Sequence, residues 1–202
     1  MSREGRSSSF VFESLFGGNS IGQFFTRPPH APLSVRKVPR STRHAGRRIL
    51  ITGAAGGVGH ATAELLAAEG ASVALADIRA DALEAAAAAI KGYAFAVRVD
   101  LAEPTSIAAA VNAAEARLGP LDGLVNCAAI VIHADPLETA WMDWERIFRI
   151  NLFGAYETSR LVARSMIESS ARGAIVSVAS EAGKKGIWSL WPIAPARRRS
   201  SI

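Results

Sequence analysis

The stretch RILITGAAGGVGH, residues 48–60, joins an apolar run to a glycine-rich turn and then directly to a helix-like segment. Glycines in such a turn let the main chain approach a ligand closely. The start of a helix adds unpaired N–H groups and the positive end of the helix dipole. A glycine-rich turn alone is a weak signal, but a strand before it and a helix after it make phosphate binding the favoured interpretation. The sequence therefore predicts a strand, a phosphate-binding loop and a helix in immediate succession.

Strand-like and helix-like segments alternate through the rest of the chain, with no hairpin signal between them. The predicted strands are RILITG, ASVALAD, YAFAVRVD, LDGLVNCAA and GAIVSVAS. The predicted helices are VGHATAELLAAEG, Asp81 to Lys91, Pro104 to Leu118, and roughly Leu137 to Ser170. This alternation is typical of a parallel sheet covered on both faces. We predict an α/β fold with a doubly wound parallel sheet, truncated after its fifth strand, with strand order 3-2-1-4-5.

Basic residues concentrate at the two ends of the chain. Residues 1–48 carry a net charge of +7, residues 49–183 carry −7 and residues 184–202 carry +5. Nucleic-acid binding would therefore depend on tails that show no aromatic interleaving, so we expect no nucleic-acid partner. The composition predicts a disordered basic extension over residues 1–47. The strand–helix alternation and the glycine-rich loop predict a truncated nucleotide-binding domain over residues 48–188, and residues 189–202 are assigned to a separate tail.

Cys127 is the single cysteine of the chain, which excludes a disulfide framework and is consistent with a reducing compartment. No apolar stretch approaches the length of a membrane span. We therefore expect a cytoplasmic protein with no membrane partner. His60 and His133 show no metal-ligand spacing with other histidines, cysteines or acids, so no metal site is predicted.

Asp77 ends the second predicted strand, where a carboxylate accepts hydrogen bonds from both hydroxyls of an adenosine ribose. Its charge would repel a 2′-phosphate, and no basic residue stands in the loop beside Gly57. These observations favour NAD over NADP as the cofactor. Arg79 lies two residues further on and would soften that discrimination. The alternative is that Asp77 is a solvated cap of the following helix.

These residues resemble the short-chain dehydrogenases/reductases over about Arg48 to Trp188. Five family motifs are in register: the glycine pattern at Thr52, Gly53, Gly57 and Gly59, then Asp100–Leu101, Asn126-Cys127-Ala128-Ala129, Asn151 and Ser180. Cys127 and Ala129 depart from the family's Asn-Asn-Ala-Gly. The resemblance implies a Rossmann fold that carries NAD(P)-dependent alcohol oxidation or carbonyl reduction.

The resemblance also implies a role for each matching residue. Ser180 and Asn151 are the catalytic candidates, and the cofactor-binding candidates are Thr52, Gly53, Gly57, Val58, Gly59, Asp77, Asp100, Leu101, Asn126 and Ala128. It further implies a small alcohol or ketone as substrate and a homo-oligomer as the assembly. Other roles stay open: Asn126 ties strands together, Asn151 is an ordinary buried polar residue, or Ser180 caps a turn.

The family's remaining catalytic motif, Tyr-x-x-x-Lys, is missing at its expected place. In the family a tyrosine about thirteen residues after the serine moves the hydroxyl proton, and a lysine four residues later lowers its pKa. Ile193 and Arg197 occupy those positions. Isoleucine has no proton to give, and arginine stays charged. As written, the chain is therefore expected to lack turnover, which leaves a catalytically dead dinucleotide-binding protein or a non-functional fragment as alternatives.

A change of reading frame would account for this departure. Codons permitted by residues 190–202, with one G added after the codon for Leu190, encode Leu-Val-Ala-Tyr-Ser-Ala-Ser-Lys. Tyrosine then falls at position 193 and lysine at position 197, in register with Ser180. We hypothesise that a one-nucleotide deletion near Leu190, in the gene or in its sequencing, puts the last twelve residues of the predicted tail at 189–202 out of frame.

Overall fold

The computed structural model describes residues 42–135 and 137–180. Its five strands form one all-parallel sheet in the order β3-β2-β1-β4-β5. They are β1 (Arg48–Thr52), β2 (Ser72–Asp77), β3 (Ala94–Arg98), β4 (Gly123–Asn126) and β5 (Ala174–Ser177). The predicted parallel sheet and its strand order are confirmed. The predicted tail at residues 189–202, and residues 1–41 of the predicted extension, lie outside the described residues.

Five α-helices occur among the described residues. They are α1 (Gly57–Ala68), α2 (Ala80–Ala89), α3 (Pro104–Leu118), α4 (Trp141–Phe148) and α5 (Ala155–Glu168). Helix α3 begins at Pro104 and ends at Leu118, as predicted. Proline is preferred at a first helical position because the amide it lacks has no partner there. Gly119 follows α3 with a φ of 80°, a left-handed conformation that glycine adopts freely and that ends the helix.

The single long helix predicted over residues 137–170 is wrong in two places. It begins at Trp141, because Asp135 holds the preceding residues in a turn. The Asp135 Oδ1 atom accepts a hydrogen bond from the Leu137 amide at 2.9 Å, and its carbonyl accepts one from the Thr139 hydroxyl at 2.8 Å. A π-helical turn at Arg149–Gly154 then separates α4 from α5.

Both faces of β1 are buried, because successive side chains of a strand point to opposite faces. Ile49 and Ile51 pack with the apolar residues of α1 and α2, while Leu50 packs with those of α3 and α5. Each of these three side chains is at most 6% exposed. This double burial explains why the strand is continuously apolar instead of alternating.

A turn at residues 43–46 precedes β1 and packs against the end of α1. The His44 amide donates to the Glu69 carbonyl at 3.1 Å, and the side chain of Arg43 forms an ion pair with the Glu69 carboxylate. His44 Nε2 lies 3.3 Å from Glu69 Oε2. The buried Glu69 carboxylate therefore has charged and polar partners. Contacts with the fold begin before residue 47, where the sequence placed the end of the extension.

The strand register brings the sequence motifs to one edge of the sheet. Thr52 pairs with Ala76 on one side and with Asn126 on the other, and Asn126 pairs with Ser177. All five strands are parallel, so their carboxyl ends meet at this edge. Within the described part of the chain, no helix has the length and apolar character needed to cross a bilayer.

Candidate functional site

A cleft of about 570 Å³ opens at the carboxyl edge of the sheet. Its walls come from the segments that follow β1, β2, β3 and β4, with contributions from α4 and from the segment after β5. Most of the predicted cofactor-binding residues line it: Gly53, Gly57, Val58, Gly59, Asp77, Asp100, Leu101 and Ala128. The fold thus gathers into one cavity residues that are up to 75 positions apart in the sequence.

Gly53 and Gly59 are required by close approaches within the protein itself. A Cβ atom on Gly59 would lie 2.3 Å from the Gly53 carbonyl oxygen, and one on Gly53 would lie 2.7 Å from the Ala128 amide nitrogen. Gly53 also has a φ of 70°, which side chains disfavour. These two glycines let α1 and the segment after β4 lie directly against the turn. The shape of the loop therefore depends on them.

Gly57 has a different position, at the first turn of α1. No atom would lie within 4 Å of an added Cβ, and its φ is 58°. The first helical hydrogen bond of α1 runs from the His60 amide to the Gly56 carbonyl. The amides of Gly57, Val58 and Gly59 precede it, as the unpaired first-turn amides of a helix do. Since no acidic residue lies in this turn, the arrangement suits a phosphate-bearing ligand.

Asp77 is buried, with 8% of its surface exposed, at the end of β2. It does not cap α2 as a solvated residue, because Arg79 is the N-cap of that helix and the cap has no side-chain hydrogen bond. Burial by itself would raise the pKa of Asp77. Hydrogen bonds from Arg79 and Ala55, together with the Arg79 charge, outweigh burial and hold that pKa below its ordinary value. An ionised carboxylate therefore lies in the cleft at neutral pH.

Asp100 lies just after β3, on the wall of the same cleft. Its Oδ1 atom accepts a hydrogen bond from the Ala102 amide at 2.9 Å, and its own amide donates to Ser106 Oγ at 2.9 Å. These bonds fix the turn that leads into α3. Leu101 is buried beside it and belongs to the core under α3 and α5.

Thr52 and Asn126 lie beneath the cleft, buried between strands. The Thr52 hydroxyl accepts a hydrogen bond from the Ala128 amide at 3.3 Å. Asn126 Nδ2 donates to Ser159 Oγ at 3.0 Å and to Ser177 Oγ at 3.4 Å, which joins β4 to α5 and β5. Asn126 Oδ1 is buried with no hydrogen-bond partner. The contacts of these two residues connect structural elements and support the walls of the cleft.

Asn151 is 2% exposed and lies in the π-helical turn. Its Oδ1 accepts a hydrogen bond from the Ile130 amide, and its Nδ2 donates to the Ile130 carbonyl, both at 2.9 Å. This pair of bonds ties the turn to the segment after β4. Because Ile130 and Ile150 line the cleft, the side chain of Asn151 positions two parts of its wall.

Ser180 lies three residues beyond the end of β5 and is half-buried. The cleft reaches Val178 of the same segment, but Ser180 is not among its described lining residues. Ile193 and Arg197, the positions at which the sequence argument expected the tyrosine and lysine, lie outside the described residues.

Sequence reasoning missed the contribution of α4 to this cleft. Arg146 of α4 and Ile150 of the following π-helical turn line it, and their spacing of four residues brings them near each other on the helix surface. That spacing was the available signal. It was not usable on its own, because many pairs on a long helix share it and only the packing of α4 decides which face meets the cleft.

Comparisons with known proteins agree with this geometry. A family model described as short chain dehydrogenase matches residues 47–192. A sorbitol dehydrogenase of Cereibacter sphaeroides is 40% identical over 141 residues, which is 70% of this chain and 55% of that protein. A 2-dehydro-3-deoxy-L-rhamnonate dehydrogenase (NAD(+)) of a Sphingomonas species is 38% identical over 145 residues, which is 71% of this chain and 57% of that protein. The chain thus spans a little over half the length of these two relatives.

A solved structure gives the same result for the fold. A short chain dehydrogenase from Mycobacterium smegmatis superposes with a TM-score of 0.76 at 25% sequence identity. The match covers 80% of this chain and 68% of the other.

Proposed function

The chain belongs to the short-chain dehydrogenase family, and we propose that it binds NAD in the cleft. We propose the oxidation of a small alcohol, or the reduction of the corresponding ketone, as the activity of the product with the restored reading frame, because the chain as written lacks Tyr-x-x-x-Lys. The nicotinamide cofactor would supply the hydride chemistry, and the residues of this chain would bind and orient it. The family uses NAD(P), and the preference of this chain for NAD is part of the proposal.

The observation that carries the proposal is one cleft with two complementary parts. The open first turn of α1, at Gly57, suits the pyrophosphate anion. The ionised carboxylate of Asp77 suits the two hydroxyls of an adenosine ribose. Binding a dinucleotide requires both the first turn of α1 and the Asp77 carboxylate to face the same cleft. If these groups only stabilised the fold, neither would need to face the cleft.

The carboxylate of Asp77 supports NAD over NADP, because a negative charge at the ribose disfavours a 2′-phosphate. The Sphingomonas relative carries NAD(+) in its name. Asp100 and Leu101 would flank the adenine side of the cofactor, as the family resemblance implies.

For the reaction itself we propose that Ser180 binds the substrate oxygen and that Asn151 positions the cleft wall through Ile130. A small alcohol or ketone as substrate and a cytoplasmic location remain parts of the proposal, whereas the homo-oligomer that the family resemblance implies is expected to be impaired in this chain. The single cysteine, Cys127, supports this location because it is consistent with a reducing compartment.

Isothermal titration calorimetry with NAD tests the proposal without requiring turnover. We expect saturable binding by the unmodified chain and a loss of about tenfold or more in affinity in Asp77→Asn, because charge-assisted hydrogen bonds to the ribose are lost. Asp81→Asn makes the same charge change on the exposed first turn of α2 and should leave the affinity unchanged. A chain that melts cooperatively but binds no NAD at millimolar concentration would refute the proposal.

A further inference from the structure

The carboxylate of Asp77 has a full set of hydrogen-bond donors before any ligand is considered. Its Oδ1 accepts from the Arg79 amide at 3.1 Å and from Arg79 Nε at 3.2 Å. Its Oδ2 accepts from the Ala55 amide at 3.2 Å and from Arg79 Nη2 at 3.4 Å. An ionised carboxylate offers about four lone-pair sites, and four donors are present here. A ribose diol therefore finds no vacant acceptor on Asp77.

The four donors differ in how easily they can be displaced. The amides of Ala55 and Arg79 belong to the turn after β1 and to the β2–α2 connection, so moving them would disturb the fold. The side chain of Arg79 is 61% exposed, and its two bonds to Asp77 are long. Although Asp77 is buried, the guanidinium itself faces solvent, which weakens its hold on the carboxylate. The guanidinium is therefore the group that two incoming hydroxyls would replace.

A displaced guanidinium would remain in the cleft. Arg79 lines it, and Arg79 Nη2 lies 3.8 Å from the place where a Cβ of Gly56 would be, beside the phosphate-binding loop. A guanidinium pairs with a phosphate through two parallel hydrogen bonds. A phosphate on the ribose 2′ oxygen would therefore meet a cation that has just lost its partner.

Resting on the proposed function, we infer that Arg79 determines cofactor specificity, because it competes with the ribose hydroxyls for Asp77 and pairs with a 2′-phosphate when one is present. Two opposite effects follow. Arg79 weakens the binding of NAD, and it partly offsets the repulsion between Asp77 and NADP. The chain discriminates less between the two cofactors than the carboxylate alone would.

Calorimetric titrations of NAD and NADP into the unmodified chain and Arg79→Gln test this inference, since the two ligands differ only in the 2′-phosphate. In R79Q we expect NAD to bind about threefold to tenfold more tightly, the range that the loss of a weak competing ion pair allows. We expect NADP to bind about tenfold more weakly, because one charge-assisted pair is lost. The ratio of the two dissociation constants is the readout.

Arg160→Gln is the matched control. Arg160 forms a similar two-bond pair with Glu157, at 2.8 and 2.6 Å, on the surface of α5 away from the cleft. The substitution removes the same charge, so both affinities should stay within about twofold. A thermal melt confirms that both variants fold.

The outcomes separate the two proposals. If the unmodified chain binds neither dinucleotide, the proposed function fails. If both ligands bind but the ratio is the same in R79Q, or both weaken equally, the role of Arg79 is refuted while the proposed function stands.

Discussion

At the scale of single residues, Gly57 and Gly59 at the start of α1 oppose substitution for different reasons. Gly59→Ala would place a Cβ 2.3 Å from the Gly53 carbonyl, so backbone must move. We expect a loss of about 3 kcal/mol in the free energy of unfolding, at the upper end for overpacking. Gly57→Ala has open space and only its φ of 58° to oppose it, so about 1 kcal/mol is expected. Urea denaturation measures both, and equal losses would contradict the packing argument.

Asp77 makes the stability of the fold depend on pH. Its folded pKa is depressed below the unfolded value of about 3.9, so its contribution is complete above about pH 4 and is lost as the pH falls through the folded pKa. The difference in unfolding free energy between the unmodified chain and Asp77→Asn should be constant from about pH 5 to 7 and shrink below about pH 4. Urea titrations at each pH measure it. A difference that grows on acidification would contradict the assignment.

Glu157→Gln provides the comparison for that experiment. The hydrogen bond from Arg160 also lowers the pKa of Glu157, but this pair lies on the outer surface of α5. Solvent screens it, so its effect on stability should be smaller and should weaken with added salt. An equal effect of the two substitutions would mean that burial at Asp77 does not strengthen its interactions.

At the scale of secondary structure, the π-helical turn depends on the Asn151 side chain. Asn151→Ala would leave the part-buried Ile130 amide and carbonyl without the partners that the buried Asn151 side chain supplies. Each unpaired group costs about 1–3 kcal/mol, so a loss of about 2–4 kcal/mol is expected. Asn112→Ala, at an exposed position on α3, should change stability by less than about 0.5 kcal/mol. Urea denaturation of both variants is the measurement, and a near-neutral N151A would show that water replaces the amide.

The bounds of α3 were predictable from the sequence, because residues at its own ends determine them. The π-helical turn was not predictable, because it depends on a contact with a distant part of the chain. Pro104 lacks an amide hydrogen and Gly119 adopts a left-handed backbone, and both effects are local. The sequence alone therefore predicts both ends of α3. The turn depends on bonds to Ile130, 21 residues earlier in the chain. Such a contact exists only after β4 and α4 have packed, and no helical period encodes it.

At the scale of the whole molecule, the position of the site followed from the sequence because parallel strands end at one edge. That rule brings Gly53, Asp77 and Asp100 together without any knowledge of side-chain packing. The same rule does not predict which groups donate hydrogen bonds to Asp77, or that Arg146 lines the cleft. Those features depend on side-chain conformations and on the angle of α4. The motifs therefore predicted residues that the fold brings into one cleft, while the electrostatics of that cleft required the assembled fold.

Catalysis by the whole molecule depends on the coding sequence near Leu190. Hydride transfer needs a proton relay, and Ile193 and Arg197 cannot supply one. We expect the chain as written to bind NAD and to show no turnover on a panel of alcohols and ketones. A gene with one G added after the codon for Leu190 should place tyrosine at position 193 and lysine at position 197, and its product should turn over. Sequencing the DNA across Leu190 comes first. Codons that yield no Tyr-x-x-x-Lys in any frame would refute the frameshift, and turnover by the chain as written would show that another group moves the proton.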